Sequence, residues 1–130
     1  MNSINIGKYI YSKLSDLSYD NTTVKVYPLV ADNDAKYPFV IYQRNNLYYD
    51  STKDGIYQEI AVVNVKIVSD KYNISTYLAN EVRNRLDCSS GAFEDYYVEK
   101  CHLSGASEEY NNAFIQTLEF TLQIEQNYED

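Results

Sequence analysis

Apolar residues recur along this chain in two rhythms, one of three to four residues and one of two, and the alternation between them lays out the secondary structure. Ile6, Ile10, Leu14 and Leu17 fall at helical spacing, which predicts a first amphipathic helix of about four turns with Ser3 placed to cap it. Val24–Val30 (VKVYPLV) reads as a short strand, and Pro28, which has no N–H to give a ladder, puts it at an edge or a strand end. Pro38–Arg44 and Ile56–Val68 are dense in branched and aromatic residues and predict two strands. Between them Asp54-Gly55 is a turn pair, so the two strands form a hairpin whose long arm runs through Asn45–Gly55. Ala61, Val63, Val65 and Ile67 share one face of the second strand, and Glu59, Asn64 and Lys66 interrupt it with polar groups.

Ser69 or Asp70 then caps a second helix over Lys71–Leu86, whose Ile74, Leu78, Val82 and Leu86 form an apolar stripe and whose Glu81 and Arg85 stand one turn apart as an ion pair. Cys88–Ala92 reads as the loop out of that helix. Two more strands follow, about Tyr96–Leu103 and Ala113–Gln126, joined by the polar stretch Ser104–Asn112. From Leu118 the last strand alternates apolar and polar positions, the mark of a half-buried antiparallel strand. The expected fold is α+β in one domain over residues 1–130. It has a mostly antiparallel sheet of about five strands, two helices on one face, and the order α-β-β-β-α-β-β.

Composition sharpens this picture in two places. The chain has 15 Tyr and no Trp, a surplus of side chains that bury a ring while keeping a hydroxyl wet, as protein–protein contacts favour. Its net charge of −8 is unevenly laid out: ten Lys or Arg against nine Asp or Glu up to Leu86, then Lys100 alone against ten acids. Such a chain lacks the basic footprint that grips phosphates, so sequence-specific nucleic-acid binding is not expected. The opening MNSINIGKYIYSKL is too polar for a secretory signal, and the most apolar run, Ile60–Val68, is short and holds Asn64 and Lys66. Neither export nor a membrane partner is expected, and the two cysteines are expected as free thiols.

Catalytic and metal chemistry find little to work with. Cys101 and His102 resemble a nucleophile beside its base, but strand neighbours point to opposite faces. Cys88, Cys101 and His102 together remain one ligand short of a tetrahedral zinc site. Asp50-Ser51-Thr52-Lys53-Asp54-Gly55 resembles half of a calcium loop, yet its twelfth position is Ala61 in place of the bidentate Glu. Asp32-Asn33-Asp34 is a weaker partial match. Glu94-Asp95 and Glu108-Glu109 lie in expected loops, where carboxylates are ordinarily solvated. No cofactor, metal or catalytic residue is therefore assigned. The competing reading is a small ligand-binding or enzymatic α+β domain that uses Cys88, Cys101, His102 or the loop carboxylates, and a third is a bacterial regulator or adaptor.

One longer pattern points further. Val26-Tyr27-Pro28-Leu29-Val30, a short polar loop, and Tyr37-Pro38-Phe39-Val40-Ile41-Tyr42-Gln43-Arg44 resemble the opening of small tail-completion proteins of long-tailed phages. A strand ending in Val68-Ser69-Asp70, a helix over Tyr72–Leu86 with Leu78-Ala79 and Val82-Arg83, and a last strand follow in the same order, so nearly the whole chain is covered. The chain departs from that pattern in its tyrosine content and in Ser104–Asn112. The resemblance implies a tail terminator: a virion protein made in the host bacterial cytoplasm that forms a ring, commonly a hexamer, on the tail tube and meets the head connector. Stopper and adaptor proteins of the same neck are the neighbouring alternatives. A ring needs two unlike patches on each copy, which the neutral front and acidic back of the chain could supply, with part of Glu94–Glu125 facing a DNA-bearing lumen. The expected partner contacts are Leu47, Tyr48, Tyr49 and Asp50 on the hairpin arm and Glu108, Glu109 and Tyr110 in the polar stretch.

Overall fold

A computed structural model describes residues 3–51 and 57–126 of the chain. The Asp54-Gly55 turn, and with it most of the calcium-like run, lies outside the described residues. At the N-terminus Ile6, Ile10, Leu14 and Leu17 are buried as their spacing requires, but regular helix is confined to α1 (Gly7–Leu14), with a 3-10 turn over Ser3–Asn5 before it. The expected cap is not made. Ser3 is itself buried and its Oγ donates to Glu59 Oε2 at 2.5 Å, so Ile6 takes the N-cap position without a side-chain bond. A carboxylate taken out of water loses more by going unpaired than a helix end does, which is why the hydroxyl goes there. Ser3→Ala is expected to cost about 1–3 kcal/mol in urea denaturation; a loss below about 0.5 kcal/mol would mean that other donors satisfy Glu59. Gly7 opens the helix because Tyr42 lies against it: a Cβ there would stand 2.7 Å from Tyr42 Cε2.

After α1 comes a small ribbon, β1 (Ser18–Tyr19) and β2 (Thr22–Thr23), closed by Asp20 and Asn21 at φ 51° and 64°. Both residues tolerate positive φ, as a two-residue hairpin loop demands. The main sheet follows. It has six strands, one more than expected, in the order β3-β4-β5-β8-β7-β6, and it curls into a half-barrel. β3 (Lys25–Pro28) is the edge strand that Pro28 implied and runs parallel to β4 (Phe39–Ser51); every other pairing is antiparallel. β5 (Tyr57–Ser69) and β8 (Phe114–Gln126) hold the centre, and β7 (Tyr96–Tyr110) and β6 (Ser89–Phe93) complete the far side. Register shifts at Arg44/Asn46, Ser89/Gly91, Val98/Lys100 and Leu103/Gly105 bend the strands, as bulges do.

Three expected loops are thus strands. Asn45–Asp50 continues β4 against β5, Ser104–Tyr110 continues β7 against β8, and Ser89–Ala92 belongs to β6. Each was hidden for a physical reason. β6 pairs with β7 only from Tyr96 to Cys101, so beyond that point β7 is an edge strand. From Ser104 onward its side chains are nearly all exposed, so no alternation is written into them. The β7–β8 turn is short, with Asn112 at φ 59° and Asn111 N–H donating to Ala113 O at 2.9 Å.

α2 (Tyr72–Leu86) carries the expected stripe, with Leu78, Val82 and Leu86 fully buried and Ile74 packed beside them. Lys71 is its N-cap and makes no side-chain cap; Ser69 Oγ instead accepts from Lys71 N–H at 3.1 Å. The expected Glu81–Arg85 pair gives way to longer-range pairing: Arg85 reaches Asp16 beyond α1, and Arg83 meets Asp87 at 3.8 Å. Both helices close on one face of the sheet. That face presents Val40, Ala61, Val63, Val65, Ile67, Leu118, Phe120, Leu122, Ile124, Val98 and Cys101 to one buried cluster. Among the described residues no helix covers the opposite face, where Asn64, Lys66, Glu119, Thr121 and His102 alternate with the core positions.

Candidate functional site

The seven expected contact residues lie on strands at opposite ends of the sheet. Leu47↔Ala61, Tyr48↔Ile60, Tyr49↔Glu59 and Asp50↔Gln58 are consecutive rungs at one end, and Glu108↔Gln116, Glu109↔Ile115 and Tyr110↔Phe114 are rungs at the other. The fold therefore separates them into two surfaces. It also divides the first: strand neighbours alternate, so Leu47 and Tyr49 point to the helix side while Tyr48 and Asp50 point to the helix-free side. Tyr49 is the most open large apolar side chain of the described residues, 73% exposed, and with Leu47, Tyr48, Ser3, Ile4 and Glu59 it borders a shallow cavity of about 210 Å³. Tyr48, 47% exposed, pairs with Ile60 and, although strand alternation turns it away from Tyr49, still borders that cavity. Arg44, on the same strand, donates to Ile4 O and ties the N-terminal turn to this end.

At the opposite end three rings surround a carboxylate. Tyr110 and Phe114 have centroids 4.9 Å apart, Tyr72 on the first turn of α2 stands 5.8 Å from Phe114, and these side chains with Glu108 and Gln116 line a cavity of about 290 Å³. Glu108 Oε2 accepts from Tyr72 Oη and from Gln116 Nε2, each at 2.9 Å. Those two bonds, that of Gln116 first, hold the Glu108 carboxyl below the usual carboxylate range. The α2 stripe and the β8 alternation foretold the elements; only the turn at Asn111–Ala113 brings Tyr110 and Phe114 together against Tyr72.

A third opening was missed by sequence reasoning. Beside β3, the β1–β2 ribbon and the residues before β4 enclose a cavity of about 350 Å³ lined by Tyr19, Tyr27, Tyr37, Lys25, Lys36, Asp32 and Asp34 among others. The signal available was Asp20-Asn21, a turn pair that brings Tyr19 and Thr22 beside the edge strand. Across all these surfaces the tyrosine surplus has a definite place. Tyr11, Tyr37, Tyr48, Tyr49, Tyr72, Tyr77, Tyr97 and Tyr110 are exposed, while Tyr9 and Tyr96 are buried.

The residues considered for chemistry are arranged otherwise. Cys101 is fully buried on the core face, and burial pushes its thiol up to about 12. Cys88, at φ 66°, is exposed, and its N–H donates to Cys101 O at 2.7 Å. His102 belongs to the helix-free face in the rung of Thr121, with Nδ1 buried and without a partner among the described residues. None of the three cavities is lined by any of these three residues. Glu94 and Asp95 form the β6–β7 turn, where Glu94 Oε2 accepts from Asn5 Nδ2 at 2.6 Å and Lys8 stands 3.7 Å from Oε1. Among the described residues no cluster of three His, Cys, Asp or Glu is placed to hold a metal ion, and no helix is long and apolar enough to cross a membrane.

No family model and no curated protein matches the sequence. The fold has a counterpart among solved structures. A chain of the virion of a native gene transfer agent particle superposes with a TM-score of 0.74 over 89% of this chain and 91% of that one, at 13% identity. At that identity the likeness is one of fold, and it extends over nearly the full length of both chains.

Proposed function

We propose that this chain is a structural protein of a phage or prophage virion: a tail terminator that closes into a ring, a hexamer when assembled, on the end of the tail tube and joins it to the head connector. The observation that carries the proposal is the near full-length likeness in fold to a chain of a virion particle, and it agrees with the tail-completion pattern read along Val26–Arg44. The surface fits the same role. The eight exposed tyrosines among the described residues are the amphipathic anchors that protein–protein contacts use. In this reading the protein acts through surface contact alone, without catalysis, cofactor or metal.

The lumen-facing part of the acidic stretch is then the helix-free side of the sheet. Glu119 and Glu125 project there from β8, and Glu99, on the bulge of β7, is held above the usual carboxylate range, first by its hydrogen bond with Glu125. Gln58 Nε2 donates to Glu99 at 2.7 Å and to Glu125 at 3.3 Å. Clustered carboxylates at a lumen wall would keep passing DNA from adhering. The decisive experiment is electron microscopy of tail tubes assembled with and without the purified protein. A ring of density at one tip of the tube is the expected result. Bare tips at saturating protein would refute the proposal.

A further inference from the structure

Among the described residues Glu59 is the only buried charged side chain, 8% exposed. Its Oε2 accepts the Ser3 hydroxyl, its Oε1 has no hydrogen-bond partner among those residues, and none of their Lys or Arg side chains forms an ion pair with it. Arg44 reaches the same turn but donates to Ile4 O instead. One neutral hydroxyl is little for a carboxylate held away from bulk water, where such a group is ordinarily matched by a cation as well. The carboxylate is not sealed off. It lines the cavity of about 210 Å³ at the sheet end, whose other walls are Ser3, Ile4, Leu47, Tyr48 and Tyr49.

We infer that this cavity is the receptor for one lysine or arginine side chain presented by a basic partner protein. The chemistry of the walls matches such a group part by part. Glu59 meets the charged head with a charge-assisted hydrogen bond, and Leu47, Ile4 and the tyrosines border the aliphatic stem and offer ring faces to the cation. The surroundings select a basic partner over a second copy of the chain. Asp50, next to Tyr49, pairs with Gln58, and Gln58 Nε2 donates to Glu99 and to Glu125, so three further carboxylates border the same end of the sheet. Each copy carries a net charge of −8. Two copies meeting through this end repel, whereas a positively charged rim is drawn to it. The inference rests on the docking role proposed above, in which that partner is the tip of the tail tube.

Two measurements separate the inference from that reading. In the first, Nα-acetyl-lysine methylamide, its arginine counterpart and the uncharged norleucine amide are titrated into the isotope-labelled protein and followed by NMR. The cationic amides are expected to shift the backbone signals of Leu47, Tyr49 and Glu59 with dissociation constants of about 1–10 mM, at least about tenfold tighter than norleucine amide. Glu59→Gln keeps the size of the side chain and an oxygen for Ser3, and it is expected to erase that preference. In the second, the same variant, checked for folding by a thermal melt, is expected to cap tail tubes about tenfold more weakly at low salt and within about threefold of the parent at high salt. Norleucine amide acting as strongly as the cations, or no shift with either cation, overturns the inference and leaves the ring reading standing. So does full capping by Glu59→Gln at low salt. If the parent self-associates without tubes in sedimentation velocity and Glu59→Gln abolishes this, the cation comes from a second copy and the basic partner is wrong. A parent that prefers the cationic amides but leaves tubes bare supports the cavity's chemistry and overturns the tail-terminator reading.

Discussion

Tyr49→Ala is expected to reduce capping of tail tubes by at least about thirtyfold while leaving the fold intact, the loss associated with one aromatic anchor of about 2 kcal/mol. Tyr49 is 73% exposed and sits beside Leu47 and the equally open Ile4, which is 65% exposed. A contiguous apolar patch in water at a sheet end gains by being covered. Because the side chain touches little of the core, its removal should move the urea midpoint by less than about 0.5 kcal/mol equivalent. Tyr48→Ala provides the contrast. Tyr48 pairs with Ile60, which is only 6% exposed, and also borders the cavity beside Tyr49, so truncation should lower stability and should cost less capping than Tyr49→Ala does. Equal loss of capping from both changes would mean that the two tyrosines dock as one surface. No loss from Tyr49→Ala would leave this end of the sheet without a partner role.

The largest effect on stability is expected at Phe120. It is fully buried in the central strand β8, opposite Val63 on one side and Leu103 on the other, where α2 closes the core. Phe120→Ala removes the transfer energy of the ring and leaves a cavity that the flanking strands cannot collapse into, at a cost of about 3–5 kcal/mol. Against a total stability of about 5–15 kcal/mol for a domain of this kind, that loss brings the protein near the edge of folding. Chemical denaturation followed by circular dichroism checks it. A loss under about 1.5 kcal/mol would mean that the core around β8 repacks, and that the sheet centre is softer than its fully buried side chains imply.

How much of this was legible beforehand differs by element. The stripe of α2 and the alternation of β5 and β8 are each a local period set by one-sided burial, and each was readable because a single face goes dry. Ser104–Tyr110 and Asn45–Asp50 were not, because an edge or a projecting strand wets both faces and hides its period, leaving a string that looks like loop. The ion pairs were misjudged in the same way: Glu81 and Arg85 are neighbours on a helix, but Arg85 finds Asp16 across the helix pair. Ser3 reads as a cap until the fold carries Glu59 to it from 56 residues away.

From its sequence alone the chain is already an α+β domain with its apolar faces assigned, an edge strand at Pro28, an acidic latter third and an excess of tyrosine, since each of these follows from composition or from a period that one helix or strand imposes on itself. The rest belongs to tertiary structure: the sixth strand, the parallel placement of β3, and the meeting of Tyr72, Glu108 and Phe114 around one cavity. These depend on which strand edges find each other across tens of residues, and such pairing is decided by the closing of the whole core and not by any stretch of sequence within it.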